Sequence, residues 1–159
     1  MILQEISDKI RQQFPEAVLE TKIEGQIDPF IKISPPYIKD VCHFLRNEND
    51  LQFDFLNCLS GVDYGKGILG VVYNISSLAL KHKATIKVEV PVAEPKIHSV
   101  ESIWKTANWH EREAYDLLGI QFTGHPDMRR ILLPYDWEGF PLRKDYKVPE
   151  FYNGMKIPY

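Results

Sequence analysis

A chain of 159 residues, 44% hydrophobic and 26% charged with a formal net charge of -3, has the size and balance of one folded domain with a substantial core. That balance carries no electrostatic footprint for a nucleic-acid partner. Its two cysteines, Cys42 and Cys58, are too few to ligate an ordinary iron–sulfur cluster and are read as buried structural thiols.

The amino terminus sets Ile2, Leu3, Ile6, Ile10 and Phe14 at helical spacing between charges, which predicts an amphipathic helix and excludes a secretory signal or a membrane span there. A strand over 18–23, a turn at Gly25 and a strand over 30–33 follow as a hairpin-like pair. Ser34-Pro35-Pro36 punctuates the chain. Tyr37, Ile38, Val41, Phe44 and Leu45 then predict a second amphipathic helix, ending near the polar run 47–50. Three strands come next, from Phe53 through Val62, over 69–76, and over 85–90, where Ile86, Val88 and Val90 alternate with polar residues. Gly61, Gly65, Gly67 and Gly70 match neither the Walker spacing nor the dinucleotide fingerprint, so they are read as a hairpin turn.

This order predicts an α+β fold: a two-layer domain with a largely antiparallel sheet and helices on one face, followed by a helix and a loop-rich C-terminal extension. Residues 91–95 mark the hinge. Residues 1–95 are expected to form the sheet domain, and 96–159 a helix plus an extended interface segment, packed as one structural unit.

The charged run from Trp109 to Tyr146 mixes acids and bases and threads aromatics and prolines between them, the composition of a surface that folds against another surface. Val100, Ile103, Trp104 and Ala107 form a helical stripe after a capping Ser99, and Ala114, Tyr115 and Leu118 extend it to Gly119. Asn108 and Glu111 have capping-box spacing, so the helix is expected to break and restart there; a continuous helix would instead set Glu111 on the apolar stripe. Glu111, Glu113 and Asp116 surround Arg112, either as a solvated helix face or as a partly buried network that fixes the following loop. Trp109 and Tyr115 favour the network.

His125-Pro126-Asp127 reads as a turn whose histidine makes a structural hydrogen bond. The irregular spacing of His82, His98, His110 and His125 argues against a zinc site. Arg129 and Arg130, Trp137, and Arg143-Lys144-Asp145 sit in a tail with little regular pairing of its own, and they are the residue types that anchor interfaces. No catalytic, cofactor-binding or metal-ligating constellation is assigned.

Several stretches carry a resemblance. ERE-x-x-D (Glu111 to Asp116), two apolar residues, six positions, His125, three residues and Arg129-Arg130-Ile131-Leu132 make the first; DWEG-x-PLRKDY (Asp136 to Tyr146) makes the second. The third lies upstream, in LSGVDY (Leu59 to Tyr64) and IWKTANWHERE (Ile103 to Glu113). Together they resemble the C subunit of bacterial NADH:quinone oxidoreductase, respiratory complex I, over roughly residues 50–150. The resemblance implies a non-catalytic subunit of the peripheral arm on the cytoplasmic side of the inner membrane. It would bind no cofactor itself and pack against the subunits that form the quinone site and hold the terminal iron–sulfur cluster, with FMN and the Fe-S clusters in partner subunits.

Relatives commonly carry His where this chain has Phe140, which argues against an essential protonation role at that position. The chain lacks the longer tails and fused quinone-site subunit of some members and is expected to be a stand-alone subunit. Related chains serve membrane-bound hydrogenases and ferredoxin-using complexes, so an equivalent subunit of such an assembly is the alternative. A free-standing acid/base hydrolase using Glu111, Glu113 and His125 is the rival from another class, and it requires those groups to converge on a concave pocket.

Overall fold

The computed structural model describes residues 1–25 and 28–157. Helix α1 (Leu3–Gln13) opens with the Glu5 carboxylate accepting the Ile2 N–H at 2.9 Å, and buries Ile6 and Ile10. Strands β1 (Val18–Lys22) and β2 (Phe30–Ile33) pair antiparallel. A 3-10 turn at Pro35–Tyr37 leads into α2 (Ile38–Asn47), which buries Ile38, Val41, Cys42 and Leu45. Strands β3 (Phe55–Gly65), β4 (Ile68–Ser77) and β5 (His82–Pro91) form an antiparallel meander, and β5 pairs parallel with β2. The sheet order is β1-β2-β5-β4-β3. It is an α+β architecture with a largely antiparallel sheet and helices on one face.

Alternation explains the layer. Leu69, Val71, Tyr73 and Ile75 of β4 and Ala84, Ile86, Val88 and Val90 of β5 all point to the buried face. The β3–β4 connection is the two-residue turn Lys66-Gly67, with φ of 53° and 77°, which matches strand twist and needs left-handed backbone at both positions. Of the four glycines read as a turn, Gly61 and Gly70 instead lie inside strands. A Cβ on Gly70 would meet the Tyr64 ring at 2.6 Å, and one on Gly61 would meet Leu118 at 2.6 Å and Ala114 at 3.1 Å. Gly61 therefore marks the close approach of a helix to the sheet.

Two short elements frame that helix. Strand β6 (Lys96–His98) pairs parallel with β7 (Gln121–Thr123), and α3 (Ala107–Leu118) lies between them. Residues 99–106 are turns rather than the expected first helix: the Trp104 indole donates to the Phe53 carbonyl at 2.9 Å and buries its ring in the core. The expected restart at Asn108 also fails. Asn108 lies inside α3, which begins after Thr106, and Glu111 is recruited elsewhere. A terminal hairpin, β8 (Phe151–Tyr152) and β9 (Met155–Lys156), turns on Asn153-Gly154. Cys42 is buried, whereas Cys58 is only half-buried, a correction to the expectation for both; each is a free thiol.

Gly61→Val would push a branched side chain into Leu118 and Ala114. We expect a loss of about 2–3 kcal/mol, read as a lower denaturant midpoint with an unchanged slope.

Candidate functional site

The last four carbonyls of a helix lack intrahelical partners and must find others. In α3 each finds one. Gly119, left-handed at φ 74°, donates its N–H to Tyr115 O at 2.8 Å. The other three acceptors are met from the tail: Arg130 Nη1 donates to Asp116 O at 3.0 Å, Leu142 N to Leu117 O at 3.0 Å, and Arg143 Nε to Leu118 O at 2.6 Å. Both guanidinium groups also bring positive charge to the negative end of the helix dipole.

Asp116 is the second hold. Its side chain is fully buried; Oδ1 accepts from Arg130 at 2.7 Å, while Oδ2 accepts the backbone N–H groups of Ile131, Leu132 and Leu133 at 3.0, 2.7 and 2.9 Å. Burial alone would raise this carboxyl, but the three amides and the Arg130 guanidinium outweigh it and hold the group below the ordinary carboxylate value. Arg130 reaches further, donating to Trp137 O at 2.8 Å and Gly139 O at 2.9 Å. One guanidinium thus joins helix, turn and loop.

Phe140 seats the loop. Its ring lies 4.7 Å from the Arg143 guanidinium carbon and 5.3 Å from that of Arg130, and it meets Tyr115 edge-on at 6.3 Å. A Cβ on Gly119 would collide with both Phe140 and Arg143 at 2.6 Å. Trp137 donates its indole N–H to Tyr146 Oη at 3.1 Å and packs at 5.1 Å against Tyr152. Lys144 contributes its backbone, donating N–H to Asp63 Oδ2 at 2.8 Å and so tying the tail to β3. Hydrogen bonds from the amides of Lys144 and Gly65 keep Asp63 below its usual range. Asp145 is exposed.

The acids of α3 do not cluster around Arg112. Its guanidinium donates to the carbonyls of Arg129 and Arg130, at 3.2 and 3.1 Å, and lies 5.9 Å from the Trp109 ring. Glu113 is exposed. Glu111 is fully buried on the opposite side, accepting the Ser99 hydroxyl at 2.6 Å and the Val100 N–H at 2.7 Å. His125 sits in its turn: Nδ1 accepts the Asp127 N–H at 3.0 Å, which leaves Nε2–H to donate to Asn108 O at 3.1 Å. Arg129 pairs with Asp127 at 2.9 Å in solvent, a contact of little energetic consequence.

Glu111, Glu113 and His125 therefore do not converge, and none of them lines the surface concavities around Asp40 and His43, Asn74 and Thr85, Arg143 and Tyr146, Leu78 and Lys81, or Asp136 and Tyr152. Among the described residues no group of three or more His, Cys, Asp or Glu side chains is placed to hold a metal ion, and no helix is long and apolar enough to cross a membrane. Sequence reasoning missed Asp63, Leu142 and Phe140 as tail anchors. The first two act through a distant amide or through backbone, and only the packing of Phe140 against two arginines reveals its part.

Asp116→Ala should cost about 3–5 kcal/mol, because it strands a half-buried guanidinium and three amides. Hydrogen exchange at 131–133 should accelerate while the β4 amides stay protected. Since the folded carboxyl lies below its unfolded value, its stabilisation is present at neutral pH and fades as pH falls through the ordinary carboxylate range to the lower folded value. The acid limb of a stability profile should flatten in the variant.

Comparison with known proteins identifies the family. The family described as respiratory-chain NADH dehydrogenase, 30 Kd subunit, matches residues 31–152. The chain is 53% identical to the C subunit of NADH-quinone oxidoreductase from Chloroherpeton thalassium, over 94% of its own length and 63% of that protein. It is 47% identical to the same subunit from Chlorobium phaeobacteroides, over 96% of itself and 93% of the relative. Two solved structures share the fold. One, described as the trypsin-resistant fragment (1-134) of Nqo5, is 27% identical with a TM-score of 0.65, covering 80% of this chain and 99% of that one. The other, from the membrane-bound sulfane sulfur reductase, an archaeal respiratory membrane complex, is 25% identical with a TM-score of 0.73, covering 91% and 85%. With more than half its length matched by the family, and the α3 clamp and most of the tail inside that match, the chain belongs to the 30 Kd subunit family of respiratory-chain NADH dehydrogenase.

Proposed function

We propose that the chain is a non-catalytic structural subunit of the peripheral arm of NADH:quinone oxidoreductase. It supports the subunits that form the quinone site and hold the terminal iron–sulfur cluster while electrons pass from NADH to quinone with ion translocation. FMN and the clusters reside in partner subunits, and the assembly sits on the cytoplasmic side of the inner membrane. The observation that carries this reading is the combination of family membership with a tail held by side chains. That tail presents large apolar groups to solvent: Leu132 at 63%, Tyr135 at 93% and Leu142 at 59% exposure, with Trp109 of α3 at 67%. Glu111, Arg112, Asp116, His125, Arg130, Trp137 and Arg143 shape the surface from behind; Glu113, Arg129, Lys144 and Asp145 are exposed charged groups placed to meet a partner. Residues 1–95 and 96–159 act as one structural unit in this role.

A second reading rests on the likeness to the sulfane sulfur reductase chain. A similar scaffold occurs in another respiratory membrane complex, so the equivalent subunit of a hydrogenase-type or ferredoxin-using assembly is the alternative.

Native purification through a tag on this chain, followed by identification of the bound chains, tests both. Tyr135→Glu and Leu132→Glu should leave the melting temperature of the isolated chain within about 1–2 °C, as surface changes do, yet sharply reduce assembled complex on native gels. Trypsin should cut the isolated chain first after the exposed Lys144 or Lys147, and assembly should protect both bonds. Normal assembly with turnover per complex lowered about a hundredfold, roughly 2.7 kcal/mol of barrier, would overturn the structural role.

A further inference from the structure

Of the arginines in α3 and the tail, Arg112, Arg129 and Arg130 spend their donors inside the chain. Arg130 meets Asp116 and two loop carbonyls, Arg129 pairs with Asp127, and Arg112 donates to the carbonyls of residues 129 and 130. Arg143 differs. Its Nε donates to Leu118 O at 2.6 Å, but among the described residues Nη1 and Nη2 find no acceptor and the guanidinium forms no ion pair. Asp63 lies within range of the Arg143 charge, yet it turns Oδ1 to the Gly65 N–H at 2.7 Å and Oδ2 to the Lys144 N–H at 2.8 Å. The outer fork stays unused.

That fork is fixed before any ligand meets it. Nε pins one edge, the Phe140 ring lies 4.7 Å from the guanidinium carbon, and a Cβ on Gly119 would sit 2.6 Å from Nη2, so the group is packed against both the ring and the end of α3. Arg143 lines a shallow depression of about 420 Å³ together with Glu138, Phe140, Asp145 and Lys147. A half-buried cation without a counter-ion carries a desolvation cost that a carboxylate offsets, and a planar fork takes a carboxylate through two parallel hydrogen bonds. Exposed Leu142 and Val148, at 59% and 42%, stand close to Arg143 in the chain and supply the apolar rim that keeps water from such a pair.

We propose, resting on the structural-subunit reading, that this depression receives an acidic side chain of a neighbouring subunit, held by the Arg143 fork with Lys147 beside it. Charge selects the carboxylate. Glu138 and Asp145 balance Arg143 and Lys147 around the depression, which suits one monoanion and disfavours a phosphate or an anionic membrane, since those call for a surplus of positive charge.

Carbodiimide coupling in the assembled complex tests the contact, because the reagent joins an amine to a carboxylate that touches it. Arg143→Lys keeps the charge, loses the fork and puts an amine at the site. The isolated variant should still melt cooperatively, and its assembled complex should fall about tenfold, as for a weakened interfacial charge pair. Coupling in what remains should join position 143 to an Asp or Glu of another subunit. Coupling that stays within this chain, at Asp63, Glu138 or Asp145, would overturn the proposal, as would assembly at the wild-type level. Should Arg143→Lys fail to assemble, phenylglyoxal labelling of the wild type decides: Arg143 should react in the isolated chain and lose that reactivity in the complex, and equal rates would sink the contact. Binding of the isolated wild-type chain, but not of Arg143→Gln, to phosphatidylglycerol vesicles would assign the fork to a lipid phosphate and overturn it too. A chain that purifies without partners defeats the structural-subunit reading itself, whereas full assembly with a reactive Arg143 defeats this contact alone.

Discussion

The carboxyl end of α3 is the constraint on which the rest depends. A helix that stops at Gly119 leaves acceptor carbonyls, and in this chain three of them are met by a segment that begins more than ten residues later. Without that segment the helix end would face solvent or an apolar neighbour. Without the helix end, the backbone N–H groups of residues 131–133 and 142 would lose their partners. Each part supplies what the other lacks. Asp116 and Arg130 turn the exchange into a geometry, since a carboxylate bonded to three consecutive amides fixes the path of 131–133, and a guanidinium bonded to two loop carbonyls fixes the path of 137–139.

The same α3 explains why acidic residues close together in sequence serve separate ends. Helical periodicity sends Glu111 toward the sheet and Asp116 toward the tail, while Glu113 remains in water. Balanced charge in the sequence does not become a salt-bridge cluster. Most of the strong contacts run from side chain to backbone, which suits a segment whose own backbone is irregular.

Much of the sheet domain is legible from alternation: Ile86, Val88 and Val90 announce β5, and Tyr37 to Leu45 announce α2. The start of α3 is not. Ser99 and the Asn108/Glu111 spacing both look like caps, but Glu111 uses its oxygens on a corner eleven residues back, a tertiary contact that local spacing cannot distinguish from a capping box. Strands β6 and β7, three residues each, are too short for periodicity to reveal. The Asn153-Gly154 hairpin lies within reach of sequence, because that dipeptide favours the left-handed pair a two-residue turn requires. Arginine partners are out of reach in a different way. Sequence shows which acids lie near Arg112 and Arg143, but it cannot show that carbonyl oxygens will claim them first.

The bond from Lys144 N–H to Asp63 spans 81 positions, whereas the β3–β4–β5 meander closes through short turns. Chain-closure entropy rises with separation, so the meander can organise as the polypeptide leaves the ribosome while the clamp must wait for the last residues. Closure entropy thus favours a sequence in which the sheet and α3 form the template and the tail is laid onto it last, with Leu132 and Tyr135 still facing solvent once it is seated.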